Sequence, residues 1–258
     1  SAQPANDRDR GRTMKPFASD ARISRLAAGG TLIQPAGTVT PRLARRIWLI
    51  AELGLFYVGA PLFIAWAIFR WNVPLFLALQ PILIGFILYL LWDDTFSVRR
   101  ELGRRMSLKA FAAIIGAFIV IGGGITFATL EVFPERFLGF PIYRTELWLF
   151  VMFAYPIMSV LPQELVYRTF FFHRYGPLFG EARWLAILVN GLAFGFGHII
   201  FGNWIAVVGT TVIGLLLACR YEQTKSFQAI WLEHSLYGCL VFTVGLGRFF
   251  FTGVSNVN

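Results

Sequence analysis

The sequence predicts an all-α fold: a polytopic membrane bundle of about seven transmembrane helices. Three observations carry this. Of 258 residues, 57% are hydrophobic and 17% aromatic, while only 14% are charged. Soluble domains carry about 25% charge, and a soluble globule cannot hide this much apolar surface. The mean hydropathy is +0.63. The apolar residues also fall in runs near the roughly 20 residues that a helix needs to cross hydrocarbon. The same composition excludes a disordered chain, a disulfide-built module and a coiled coil.

Seven candidate spans follow in order: 47–69, 73–92, 110–131, 147–172, 184–200, 204–220 and 227–251. They divide the chain into a basic polar tail (1–46), N-terminal transmembrane helices (47–131) and a C-terminal core (132–258). The tail is rich in Gly, Pro, Ser and Arg, the composition of a flexible segment. It holds nine of the 23 basic residues and contributes +6 of the net +9. Without interleaved aromatics, this charge reads as a topology signal beside anionic lipid rather than a nucleic-acid site. The loops agree. Arg99, Arg100, Arg104, Arg105 and Lys109, then Arg174 and Arg183, then Arg220 and Lys225 fall on alternate turns. Basic loops face the cytoplasm, so the N-terminus is expected inside and the C-terminus outside a bacterial inner membrane. Gly122, Gly123 and Gly124 mark a site of close packing or bending in the third span. Cys219 and Cys239 lie in apolar runs and read as packing residues.

Ionisable groups inside hydrocarbon are costly and mark function or a buried pair. Glu52 in the first span reads as a packing or interface carboxylate. His173, at the end of the fourth span, reads as interfacial. The fourth span also carries Gln163, Glu164 and Arg168 beside Pro162. Glu164 and Arg168 stand at i, i+4 and share a helix face, so an internal ion pair is the structural reading. Asn190 and His198 lie in the fifth span; Glu233 and His234 lie in the seventh. At 1.5 Å per residue, Glu164 lies roughly 15 Å in from Arg174, His234 about 13 Å in from Lys225 and His198 about 22 Å in from Arg183. One carboxylate and two imidazoles in a shared cavity fit two chemistries. They can activate water and stabilise an oxyanion, or they can hold a divalent zinc that acidifies water. No His-Glu-x-x-His helix or Gly-x-Ser-x-Gly elbow occurs.

The series Gln163-Glu164-x-x-x-Arg168, Phe194-x-x-x-His198 and His234-x-x-x-Gly238 resembles the CPBP (ABI) family, which includes the type II CAAX prenyl endopeptidases. The family pattern is Glu-Glu-x-x-x-Arg, Phe-x-x-x-His and His-x-x-x-Asn on successive helices of a four-helix core. The resemblance covers roughly 145–251. It implies an intramembrane protease, in which the first Glu activates water with help from the first His. The second His and the Asn stabilise the oxyanion. It assigns catalysis here to Glu164, His198 and His234, with Gln163, Arg168 and Asn190 in support. Two positions depart from the pattern. Gln163 stands where the first Glu belongs, and an amide cannot be a general base. Gly238 stands where the Asn belongs. Gln163 is expected to supply the missing amide donor. The expected partners are membrane lipids and a membrane-associated protein substrate, or, for a catalytically inactive relative, the subunits of a larger membrane complex. A channel or transporter is disfavoured, because no pair of broken segments occupies matching halves.

Overall fold

The computed structural model describes residues 41–250. Most of the tail expected over 1–46 lies outside the described residues, as does the chain end after 250. Seven long helical segments are present among the described residues, and no strand. They are α1 (41–71), α2 (Leu75–Trp92), α3 (108–132), α4 (145–174), α5 (Arg183–Gly197), α6 (Trp204–Thr224) and α7 (Phe227–Thr243). The protein is an integral membrane protein. Five of these segments are long and apolar enough to cross a bilayer: 42–71, 108–132, 145–174, 183–201 and 204–224. An apolar stretch over 77–92 is shorter, and α7 has 17 residues.

The ends differ most from the sequence expectation in two places. α1 begins at Pro41, inside the expected tail; proline's fixed φ suits a first helical turn, where the N–H has no partner anyway. α7 stops at Thr243, and a single 3₁₀ turn over Gly247–Phe250 follows.

Consecutive segments run in opposite directions. At one end, Arg46 Nη2 donates to Leu178 O at 3.3 Å, Ser226 Oγ to Arg104 O at 3.0 Å and Met106 N to Gln228 Oε1 at 3.2 Å. Arg174 pairs with Glu52 at 3.0 Å at that end. At the other end, Trp148 Nε1 donates to Thr243 Oγ1 at 3.1 Å, and Asn203 Nδ2 to Phe249 O at 2.8 Å. The arginine-bearing turns therefore share one end of the bundle.

Ionic links tie the helices together. Glu52, buried in α1, accepts from Arg174 and, at 3.0 Å, from the Tyr89 hydroxyl. This is the packing role expected of it. Glu233 of α7 is fully buried and takes a bidentate contact from Arg220 of α6, with Nε to Oε2 at 2.8 Å and Nη2 to Oε1 at 3.1 Å. Arg220→Ala strands that carboxylate, which costs about 3–5 kcal/mol. The expected result is a lower melting temperature in detergent, largely recovered by Arg220→Met with Glu233→Leu.

Glycines set the closest helix approaches. A side chain at Gly195 would strike Thr211 of α6, so α5 and α6 pack backbone to backbone as small residues permit. Gly122 ends a π-helical turn and sits against Leu240 of α7, whereas Gly123 and Gly124 meet nothing nearby. The expected close approach thus falls on the first glycine of the three.

Candidate active site

The site is built around α4. Pro156 and Pro162 lack the N–H that an α-helix needs and crowd the carbonyl four residues back. α4 responds with two π-helical turns, Pro156–Val160 and Leu165–Phe170, which flank Glu164. A π turn inserts an extra residue and rotates all that follows. Neighbouring helices donate to carbonyls of these turns. Tyr57 of α1 donates to Val166 O at 2.7 Å, Asn190 of α5 donates to Tyr167 O, and Trp231 of α7 donates to Pro156 O at 2.8 Å. Asn190 is thereby a fastener between α4 and α5, fully buried beside the site.

Glu164 and His234 meet. Glu164 Oε1 accepts from His234 Nδ1 at 2.7 Å, and Glu164 Oε2 faces Arg168 Nε at 3.5 Å. Both Glu164 and Arg168 have no solvent exposure. Arg168 Nη2 also donates to Gly214 O at 3.4 Å. Its guanidinium lies 4.2 Å from the centre of the Phe194 ring, a cation–π contact that strengthens when desolvated. A lone buried ion would cost several kcal/mol. Here one carboxylate sits between a guanidinium and an imidazole, so each charge is offset by a neighbour.

His198 joins through Phe194. Its ring lies 4.7 Å from Phe194, while His234 meets the same ring edge-on at 5.5 Å. α5 ends at Gly197, and His198 opens a 3₁₀ turn. Its Nδ1 is 2.6 Å from the carbonyl of Phe194. A carbonyl can only accept, so Nδ1 carries the hydrogen and the neutral ring keeps its lone pair on Nε2. His198 is half-buried, whereas His234 is 5% exposed.

Sequence reasoning missed Tyr155. Its hydroxyl lies 3.3 Å from His234 Nε2. Any side chain at Gly238 would overlap the Tyr155 ring. The tyrosine therefore fills the room that the missing side chain at 238 leaves and puts a hydroxyl on the imidazole. The departure at Gly238 was the available signal, but nothing in the sequence names what takes up the space.

Gln163 stands apart from this cluster. Its Nε2 donates to Ser159 Oγ at 2.8 Å. It borders an apolar cavity of about 220 Å³ between α1, α2 and α4, whose other lining residues include Tyr57, Gln80, Phe86 and Tyr167. Among the described residues, no group of three or more His, Cys, Asp or Glu is arranged to hold a metal. Glu164 and His234 direct their donor atoms at each other, so this donor set does not fit the zinc that the sequence allowed.

Residues 145–240 match the family model described as "Type II CAAX prenyl endopeptidase Rce1-like". These residues are similar to that family. No curated protein and no solved structure matches the chain. The Rce1-like segment spans α4, α5, α6 and most of α7, so it holds every member of the cluster: Tyr155, Glu164, Arg168, Phe194, His198 and His234.

Proposed function

We propose that the Rce1-like segment is an intramembrane endopeptidase that hydrolyses peptide bonds of membrane-associated substrates with a water activated by histidine. The observation that carries this reading is the hydrogen-bonded series Glu164–His234–Tyr155, at 2.7 and 3.3 Å, with His198 and His234 both against the Phe194 ring. His198 Nε2 takes a proton from water as the water oxygen attacks the carbonyl carbon. Charge developing on the carbonyl oxygen is met by the Nε2–H of a protonated His234 and by the Tyr155 hydroxyl. The proton on His198 passes to the departing amine as the C–N bond breaks, leaving a carboxylate and an amine. Glu164 balances the His234 imidazolium and acts through it; Arg168 holds Glu164. Gln163, turned toward Ser159, takes no part in the chemistry.

The test is cleavage of a co-expressed membrane reporter, compared with Glu164→Ala and His198→Ala. Loss of cleavage in both supports the assignment, and unchanged cleavage in both rejects it. Tyr155→Phe removes one oxyanion donor and leaves the ring in place. It is expected to lower kcat by about 10²–10³-fold, measured in the same assay, with little change in thermal stability.

A second reading is favoured by Gln163 and Gly238: an inactive relative that serves as a subunit of a larger membrane complex. Under it, the wild-type protein cleaves nothing and co-purifies in gentle detergent with fixed partners. Gln163→Glu combined with Tyr155→Ala and Gly238→Asn would then restore no activity. The tyrosine change is required because asparagine at 238 collides with Tyr155.

The reading also sets the chain in a bacterial inner membrane with the arginine-rich end of the bundle in the cytoplasm. The gathering of those turns at one end supports it.

A further inference from the structure

A second cavity, about 530 Å³, opens at the start of α1 and is lined by Arg42, Arg45, Arg46, Leu49, His173 and Arg174 among others. The three arginines of α1 stand at i, i+3 and i+4, so they share one face, and the buried Leu49 one turn on seats that face against the fold. Among the described residues, the charges around the cavity are unbalanced. Arg174 is committed to Glu52, and Arg46 gives one hydrogen bond to the Leu178 carbonyl. His173 contacts Thr95 at 3.2 Å and Asp93 at 4.0 Å. Asp93 itself accepts from the hydroxyl and the backbone N–H of Thr95. Burial alone would raise the Asp93 pKa, but those two hydrogen bonds, with His173 and Arg174 nearby, more than offset it and hold Asp93 below the usual carboxylate value. Among the described residues, no carboxylate lines the cavity. Among the described residues, no ion pair engages Arg42, Arg45 or Arg46.

The next turn of α1 is apolar and exposed: Ile47 at 54%, Trp48 at 65% and Ile50 at 62%. A ligand of this place must therefore present an anion to guanidinium groups and a hydrocarbon chain to the helix directly beside them. Guanidinium forks suit phosphate oxygens bidentately, and tryptophan is at home at the headgroup level. We propose that the cavity binds the phosphate of an anionic phospholipid, whose acyl chains lie along Ile47, Trp48 and Ile50. This inference is independent of the peptidase reading.

The experiment is native mass spectrometry of the full chain in neutral detergent, titrated separately with phosphatidylglycerol and phosphatidylcholine, and with inorganic phosphate as competitor. Phosphatidylglycerol should be retained in preference to phosphatidylcholine, and equimolar inorganic phosphate should not displace it. At roughly fivefold per arginine, Arg45→Gln should weaken retention about fivefold and the triple change Arg42→Gln, Arg45→Gln, Arg46→Gln about a hundredfold. The control pair Arg104→Gln, Arg105→Gln should leave it unchanged. Equal retention of the two lipids, or an equal loss in the control pair, would overturn a defined site. Displacement by equimolar inorganic phosphate would overturn the lipid assignment in favour of a simple phosphate site. Arg45→Gln keeps the test decisive if the triple variant folds poorly.

Discussion

Replacing His198 with alanine is expected to lower turnover of a membrane-bound peptide substrate by about 10²–10⁴-fold, the usual worth of a general base. The expectation follows from the one hydrogen bond His198 makes. With Nδ1 donating to Phe194 O at 2.6 Å, the ring is pinned in one tautomer and its basic nitrogen is Nε2. His198→Gln offers an amide in nearly the same volume but no nitrogen basic enough to take a proton, so it should be as slow as alanine. His198 is half-buried and closes a helix end rather than filling the core, so both variants should melt close to the wild type. A loss of activity that tracked a loss of folded protein would point to a structural histidine instead. Kinetics and thermal denaturation measured on the same preparations separate the two.

Glu164→Ala should act in the opposite order, on stability first. The substitution leaves Arg168 enclosed with its carboxylate partner gone and takes the acceptor from His234 Nδ1. Removing one member of a buried pair costs about 3–5 kcal/mol. That is a large share of the 5–15 kcal/mol that holds a typical domain folded. The variant should therefore be recovered poorly or melt well below the wild type. Glu164→Gln keeps the shape and an oxygen to accept from His234, yet removes the charge that balances an imidazolium. It should fold better than the alanine variant and still turn over slowly. Arg168→Met combined with Glu164→Leu removes both charges, so it should recover much of the stability and none of the activity.

How much of this was legible in the sequence depends on the range of each interaction. Hydropathy gave the membrane class and the order of spans, because twenty apolar residues in a row have few other uses. The i, i+4 spacing of Glu164 and Arg168 predicted their pairing, which is local. The packing role of Glu52 followed from its place near a basic edge, but its pairing with Arg174 and Tyr89 did not. The facing of Glu164 toward His234 was not readable. Ideal helix geometry turns adjacent residues by 100°, and only the π turns around Pro156 and Pro162 set the actual rotation. Two prolines in one span hinted at irregular backbone, but its direction depends on which neighbours donate to its carbonyls. Tyr155 was invisible for a related reason. Its significance lies in the absence of a side chain at Gly238, on another helix far along the chain. The bidentate Arg220–Glu233 pair was equally hidden, since it forms only when α6 and α7 lie antiparallel.

The central claim, that this buried carboxylate, two imidazoles and a phenol hydrolyse a peptide bond, has one direct measurement. Purified protein in proteoliposomes is given a transmembrane peptide in water enriched in oxygen-18, and the products are weighed. The account predicts two fragments, with one heavy oxygen in the new carboxylate, formed by the wild type and not by His198→Ala or His234→Ala. No fragments from the wild type across a panel of membrane peptides, or equal labelling in both histidine variants, would contradict it.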